Sequence, residues 1–329
     1  MDIDRKTAFA RGLPGRFYDA YFINEYGKIE ALRSTRYNTC FSVVLITVDG
    51  HGDVDPSEGA HLESIKALAK VVTDSVRNCD VAGMACDREL VVILPETDYF
   101  GSLIAVRKLT KAAGQIARKG RLSAVITQAT FPRDGKGFGE LLSTAAKRAR
   151  ERKESVWERQ GLKDRLFWEI IGELSGRPYS GFDNSSFEAG SGQDLTEFFI
   201  DGINELVLNE VMRAPQKRGV LYYASKSISS LPVLKALNSA GALATRVFLV
   251  GEPDGNLSEV KSATPIPLDD PRLKEFLFTF FLNEDSGYAL VCKENWGATF
   301  SCFHTADPVL VEGLISKFQG EYSLQENFG

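Results

Sequence analysis

Apolar residues fall into short runs and periodic stretches, and their spacing predicts alternating strands and helices through the first half of the chain. Cys40–Val48 (CFSVVLITV) is a nearly continuous apolar run of buried-strand length. His61–Val76 repeats apolar residues at helical spacing through Leu62, Ile65, Leu68, Val71 and Val72, which predicts a helix. Glu89–Leu94 is rich in β-formers, and Pro95 ends it. A helix pattern from Tyr99 to about Arg118, a strand over Leu122–Phe131, a turn at Pro132-Arg133-Asp134-Gly135 and a helix from about Glu140 complete a βα-alternating sheet domain.

That last helix runs into Lys147-Arg148-Ala149-Arg150-Glu151-Arg152-Lys153-Glu154 and is predicted to continue through Trp157 and Leu166–Leu174. It reads as a solvated connecting helix rather than a DNA-binding basic region. Ser175–Gln193 is rich in Gly, Ser and Asn and reads as a linker or surface loop. Beyond it the pattern predicts helices at about Asp194–Arg213, Ser230–Ser239 and Asp270–Leu282, and strands at Val220–Ala224, Arg246–Val250, Tyr288–Lys293 and Thr299–Phe303. A final helix over Val309–Tyr322 starts at Asp307 as cap and Pro308 in the first turn. The expected organisation is therefore a first domain over 1–155, a connecting helix and linker over 156–193, and a second α/β domain over 194–329 with a sensory or docking role.

Composition narrows the class. The 329 residues are 43% hydrophobic and 25% charged, enough apolar material for two ordinary cores. No apolar stretch approaches the roughly 18 residues of a membrane helix, and the N-terminus has no signal-peptide core, so a cytoplasmic protein without membrane insertion is expected. Five widely spaced cysteines (Cys40, Cys79, Cys86, Cys292, Cys302) and three histidines argue against a disulfide framework and a zinc site. Cys292 and Cys302 read as core residues, and His304 as a strand-end residue. Charge is uneven: residues 1–155 carry 24 Lys+Arg against 20 Asp+Glu, whereas 156–329 carry 15 against 24. The basic half is the one suited to an anion.

Within that half, Arg77–Thr97 reads RNCDVAGMACDRELVVILPET. This resembles the signature of GGDEF domains, the diguanylate cyclase family, in which RxxD lies five residues before the GGDEF turn and a strand ending in LPET follows. Arg77 and Asp80 supply RxxD, and Cys86-Asp87-Arg88-Glu89-Leu90 occupies the turn. Gly12–Tyr18, Phe41–Gly52 and Phe131–Gly135 with Glu140-Leu141-Leu142 resemble further family segments in the same order, so the resemblance covers about residues 8–155. It implies a nucleotidyl-cyclase-like central sheet, mostly antiparallel and flanked by helices, followed here by the second α/β domain.

The catalytic residues that the resemblance would require are replaced. Joining two GTP molecules needs carboxylates to hold divalent metal. The two metal-carboxylate positions are Thr47 and Arg88, a weak ligand and a guanidinium that repels the ion. The guanine-reading Asn is Asp55, the later Asp is Ser64, the triphosphate-facing pair is His51-Gly52, and the two turn glycines are Cys86 and Asp87. Asp49 and Glu89 remain as acids. The expectation is a degenerate cyclase without catalytic residues, resident metal or cofactor.

Arg77-x-x-Asp80 survives at the position of the family's inhibitory site, where cyclic di-GMP binds. Arg can donate bidentately to guanine O6/N7 or pair with phosphate, and Asp can accept from guanine N1 and N2. By register Lys108, with Arg107 beside it, is the second basic residue. The expected role is a non-catalytic cyclic di-GMP receptor that signals to a protein partner or to its own C-terminal domain in bacterial motility or biofilm regulation; the sequence leaves a homodimer open. The bland alternative for the motif is an Arg–Asp pair that merely satisfies a turn, and for the protein a ligand-independent scaffold.

Overall fold

The computed structural model describes residues 15–50, 58–86, 88–120, 122–176, 186–188, 195–252, 260, 262–295 and 299–324. The chain divides into two compact units, Met1–Lys153 and Glu154–Gly329.

The first unit runs β1 (Phe17–Tyr18), α1 (Ala20–Tyr37), β2 (Phe41–Gly50), α2 (Glu58–Ser75), β3 (Val81–Cys86), β4 (Glu89–Pro95), α3 (Tyr99–Gly120), β5 (Leu122–Phe131) and α4 (Phe138–Glu154). Its five strands are ordered β1-β3-β4-β2-β5, antiparallel except for the short β1–β3 pair. The expected helix-flanked, mostly antiparallel sheet is what forms. The apolar run in β2 is two interleaved alternations, because successive side chains point to opposite faces. Val44, Ile46 and Val48 join Leu90, Val92 and the helical residues Ile65, Leu68, Val106 and Leu109 in one core. Phe41, Val43 and Leu45 join Val91, Ile93, Ile23, Phe138 and Leu141 in the other. Burial on both faces is why no period-2 polarity shows in the sequence.

Helix α1 is an element the hydrophobic pattern does not announce. Much of its apolar content faces outward, with Tyr21 78%, Ile29 61% and Leu32 72% exposed. Its one clear signal is local: Asp19 caps it, accepting from the Phe22 N–H at 2.8 Å.

The second unit contains α5 (Val156–Arg159), α6 (Phe167–Gly176), β6 (Ser186–Glu188), β7 (Leu195–Thr196), α7 (Glu197–Arg213), β8 (Gly219–Ser227), α8 (Leu234–Ser239), β9 (Thr245–Glu252), β10 (Thr264–Pro267), β11 (Phe276–Asn283), β12 (Gly287–Asn295), β13 (Thr299–Thr305) and α9 (Pro308–Glu321). The main path of its eight-stranded sheet is β10-β9-β8-β11-β12-β13-β6, and β7 also pairs with β13. Phe318 of α9 and Phe167 of α6 pack with Phe278 and Phe280 of β11 on one face, while Val207, Leu208 and Val211 of α7 cover Leu221, Tyr223 and Phe281 on the other.

Four sequence expectations change here. The long helix expected over 140–174 is broken: Ser155 takes an extended backbone and Gly161 a left-handed one at φ 64°. Phe167, Trp168, Ile170, Ile171 and Leu174 then turn inward, since a solvated rod would leave five large apolar side chains in water. The helix expected over Asp270–Leu282 is a 3-10 turn over Pro271–Lys274 followed by strand β11, central in the sheet between β8 and β12. Its FLFTFFLN sequence is aromatic and buried on both faces, the residue type that favours strands. The helix expected over Ser230–Ser239 contracts to the six residues of α8, preceded by a 3-10 turn. Finally, Cys292 and Cys302, buried as expected of core residues, are cross-strand neighbours in the β12–β13 register and form a disulfide, which their spacing did not suggest. Within the expected 175–193 linker, β6 pairs with β13; residues 177–185 and 189–194 lie outside the described residues.

Candidate functional site

The segment Arg77–Asp80 is a turn between the end of α2 and the start of β3. The Asp80 N–H donates to the Arg77 carbonyl at 3.2 Å, and the Arg77 N–H donates to Asp80 Oδ2 at 2.7 Å. The Cys79 thiol faces Asp80 Oδ1 at 3.8 Å. Asp80 is 8% exposed, so its carboxylate first serves to close the turn. A carboxylate has further lone pairs, and these two contacts do not exhaust its capacity to accept.

The Arg77 side chain is exposed and makes no hydrogen bond or ion pair among the described residues. Around it other cations are held in place. Lys108 Nζ, on α3, donates to the Ser75 carbonyl at 2.5 Å, the last residue of α2 and two residues before Arg77. Arg107, adjacent on α3, is half-buried. The structure thus brings Arg77, Asp80 and Lys108 together, using α2–α3 packing to bridge residues more than 30 positions apart.

The positions that the sequence resemblance pairs with a cyclase active site gather at the other end of the same sheet. Thr47 of β2 is the direct partner of Glu89 of β4, and Asp49 stands opposite Ser123 of β5. Arg88 is exposed in the β3–β4 turn, and its carbonyl accepts from the Val48 N–H at 2.9 Å. Cys86 Sγ lies 3.4 Å from Glu89 Oε2. Among the described residues no group of three or more His, Cys, Asp and Glu could hold a metal ion. His51, Gly52, Asp55, Asp87 and residues 8–14 lie outside the described residues, as do the side chains of Asp49 and Ser64.

Solved structures similar to part of this chain are GGDEF domains. A diguanylate cyclase protein from Thermotoga maritima aligns at 14% identity over 40% of this chain and 95% of its own, with a TM-score of 0.35. A GGDEF domain from Pseudomonas aeruginosa aligns at 15% over 44% and 91%, TM-score 0.36. The GGDEF domain of DgcB from Caulobacter crescentus, in complex with c-di-GMP, aligns at 10% over 44% and 88%, TM-score 0.35. No family model matches the chain, and no curated protein does.

Sequence reasoning missed two contributions to the 77–80 turn. Arg16 donates to Asn78 Oδ1 at 2.8 Å and to the Arg77 carbonyl at 3.1 Å, clamping the turn from 61 residues away. Tyr18, Phe22 and Tyr26 form a ladder, with ring centroids 4.2 and 6.0 Å apart. Burial pushes the Tyr26 phenol up, and nearby negative groups, Glu30 foremost and Asp80 among them, push it further, against the opposing Arg33. Helix α1 packs on β3, the strand that follows the RxxD turn. The ladder's available signal was the aromatic spacing 18, 22, 26, in which Phe22 and Tyr26 share a face of α1 and Tyr18 precedes the helix in β1. Away from this site, His304 lies within β13, its Nδ1 3.3 Å from the Tyr288 hydroxyl, and burial lowers its pKa.

Proposed function

We propose that this protein is a non-catalytic receptor for cyclic di-GMP, bound at the Arg77–Asp80 turn, which passes the signal to a protein partner or to its C-terminal unit. The observation that carries the reading is the uncommitted, exposed Arg77 guanidinium between two cations already tied down, Arg16 and Lys108. A cyclic dinucleotide brings two phosphates and two guanine edges. Arg77 matches either a phosphate or the O6/N7 edge, Asp80 matches the N1/N2 edge, and Arg16 and Lys108 add positive potential without the entropic cost of ordering two long side chains. The aromatic ladder supplies a face on which a base can stack.

Loss of catalysis belongs to the same proposal. Thr47 and Arg88 occupy the positions where the resemblance calls for metal carboxylates, and a guanidinium beside a metal site opposes the ion rather than holding it. Purified protein with GTP and Mg²⁺ or Mn²⁺ is expected to form no cyclic di-GMP; product formation would refute that half of the reading.

Calorimetric titration of the full chain tests the other half. Wild type is expected to bind cyclic di-GMP at micromolar concentration or tighter, and Arg77→Ala to abolish the heat while leaving the fold intact. Absence of heat from the folded wild type would sink it. A scaffold independent of nucleotide is the second reading, favoured by the outward Tyr21, Ile29 and Leu32 of α1. It expects a partner to be captured equally with and without cyclic di-GMP.

A further inference from the structure

Strands β12 and β13 place Cys292 and Cys302 directly opposite each other, and the two form a disulfide. Both lie on the face that the start of α7 covers, where they join Ile200, Leu290 and Phe300 in one small core with Leu195 and Ile203 packed against it. Cys292 is fully buried and Cys302 is 2% exposed. The register of two paired strands is already set by the backbone ladder and by which face is apolar. What the disulfide adds is a covalent tie at one point of that face.

The surroundings of the pair suit both of its oxidation states. Cys292 lines a cavity of about 290 Å³ between α7 and the sheet, together with Ile200, Asp201, Asn204 and Phe300, so free volume adjoins the pair. Two thiols cannot come as close as two bonded sulfurs, and that volume takes up the separation that reduction requires. Cys302 has a polar partner at hand: the Phe300 carbonyl oxygen lies 3.8 Å from its Sγ, within reach as the acceptor for the S–H of the reduced form. A disulfide that served only as a staple would need neither.

The same residues anchor α7. Strand β7 is two residues long, its Leu195 pairs with Phe300 and its Thr196 with Thr299, and α7 begins at the next residue, Glu197. Phe300, two residues from Cys302 and in the same core, thus carries the attachment of the helix. So short a ladder is marginal by itself and depends on the core beneath it. Whatever loosens the contact between Cys292 and Cys302 therefore acts on the start of α7.

We propose that Cys292 and Cys302 are a redox-active couple, with a small peroxide as oxidant and a small dithiol as reductant, whose disulfide fastens the start of α7 to the sheet and whose reduction loosens it. In the oxidising direction the Cys292 thiolate attacks one peroxide oxygen, the O–O bond breaks, and the departing hydroxide takes a proton to leave as water. The Cys302 thiol then attacks the sulfenic sulfur of Cys292, and its proton leaves with the hydroxyl as a second water. Two thiols and one hydrogen peroxide give one disulfide and two waters. In the reducing direction a thiolate of the dithiol attacks Cys292, and Cys302 departs and takes a proton. The reagent's second thiol then closes the reagent's own disulfide and frees Cys292 as a thiol. The couple lies wholly within the second unit, and the proposal stands whether or not the first unit binds a nucleotide.

The test treats the full chain under native conditions with dithiothreitol and then with hydrogen peroxide. Alkylation and peptide mass spectrometry follow Cys292 and Cys302, and read Cys40, Cys79 and Cys86 separately. Both cysteines are expected to alkylate after dithiothreitol and to resist alkylation after peroxide, with circular dichroism unchanged throughout. Amides of residues 195–203 are expected to exchange about tenfold faster in the reduced protein, while those of β8 and β9 keep their rate. Chymotrypsin should likewise cut faster after Phe198 and Phe199, which are exposed but helical. Cys302→Ala should show the reduced pattern in either reagent; if that variant does not fold, the wild-type cycle alone decides. A disulfide that dithiothreitol cannot open in the folded protein, or a dithiol that peroxide cannot close, overturns the proposal. So does equal exchange at 195–203 in the two states, which would make the disulfide a static staple.

Discussion

The turn at Arg77–Asp80 and the cavity beneath α7 place their carboxylates in opposite circumstances. Asp80 is buried, but its oxygens meet the Arg77 N–H and the Cys79 thiol, within a turn surrounded by Arg16, Arg77 and Lys108. Asp201 is half-buried, meets no cation among the described residues, and sits between two acids of its own helix. A carboxylate satisfied by its own chain is part of the scaffold, and the group left over at that turn is the arginine. At the cavity the carboxylate is itself the group left over. The two carboxylate environments therefore differ in charge, although both appear at first as clusters of charged residues.

The comparison can be broken most forcefully through the core of the second unit. Phe318 is fully buried and packs on Phe167, Phe278 and Tyr222 with centroids 5.2–5.4 Å apart. Phe318→Ala should cost about 3–5 kcal/mol in denaturant unfolding, through lost burial and the cavity left behind. Cyclic di-GMP binding at the Arg77–Asp80 turn, in the other unit, should be unchanged. Loss of nucleotide binding together with that stability would show that the turn depends on the second unit's core.

A smaller effect follows from acid. The Arg272 guanidinium and the Tyr322 hydroxyl draw the Asp270 carboxyl down to about 2, against the opposing effect of burial. Its folded value lies below its unfolded one, so its stabilisation is complete above about pH 4 and drains away as pH falls towards 2. The loss should be on the order of 1–2 kcal/mol, and Asp270→Asn should flatten the stability profile in that window. An unchanged acid limb would remove Asp270 from the account.

The finest division is within the turn itself. Asp80→Ala should lower stability by about 1 kcal/mol, the usual cost of losing a side-chain cap on a backbone N–H, and should weaken nucleotide binding as well. Arg77→Ala should change stability by less than about 0.5 kcal/mol, because its exposed side chain supports nothing, yet abolish binding. Equal stability losses in the two variants would erase the distinction between scaffold and ligand group.

Much of the first unit was legible because its signals are local. The β2 and β4 runs and the Pro132–Gly135 turn each lie within a dozen residues, and each became the element or turn expected, while Arg77-x-x-Asp80 forms the turn that the bland reading of the motif gave. Helix α1 escaped because its apolar residues face outward, so hydrophobic periodicity was weak where the capping signal at Asp19 was present. In the second unit Phe276–Asn283 reads as apolar under either period, and only its place between β8 and β12 makes it a strand. A run buried on all sides has no polar face to reveal its period.

The sequence alone determined where backbone preferences are decided by near neighbours: the β-rich runs, the capped start of α9 at Asp307 and Pro308, and the turn that Asp80 closes three residues after Arg77. Tertiary structure decided everything that needed residues distant along the chain to meet. It tied Arg16 to the Arg77 carbonyl and Lys108 to the Ser75 carbonyl, placed Cys302 opposite Cys292 through the β12–β13 register, and left an open cavity beneath α7. The physical reason is range: caps, turns and periodicities act over a few residues, whereas charge neighbourhood and cavity shape depend on which surfaces pack together, and no short window of sequence contains that.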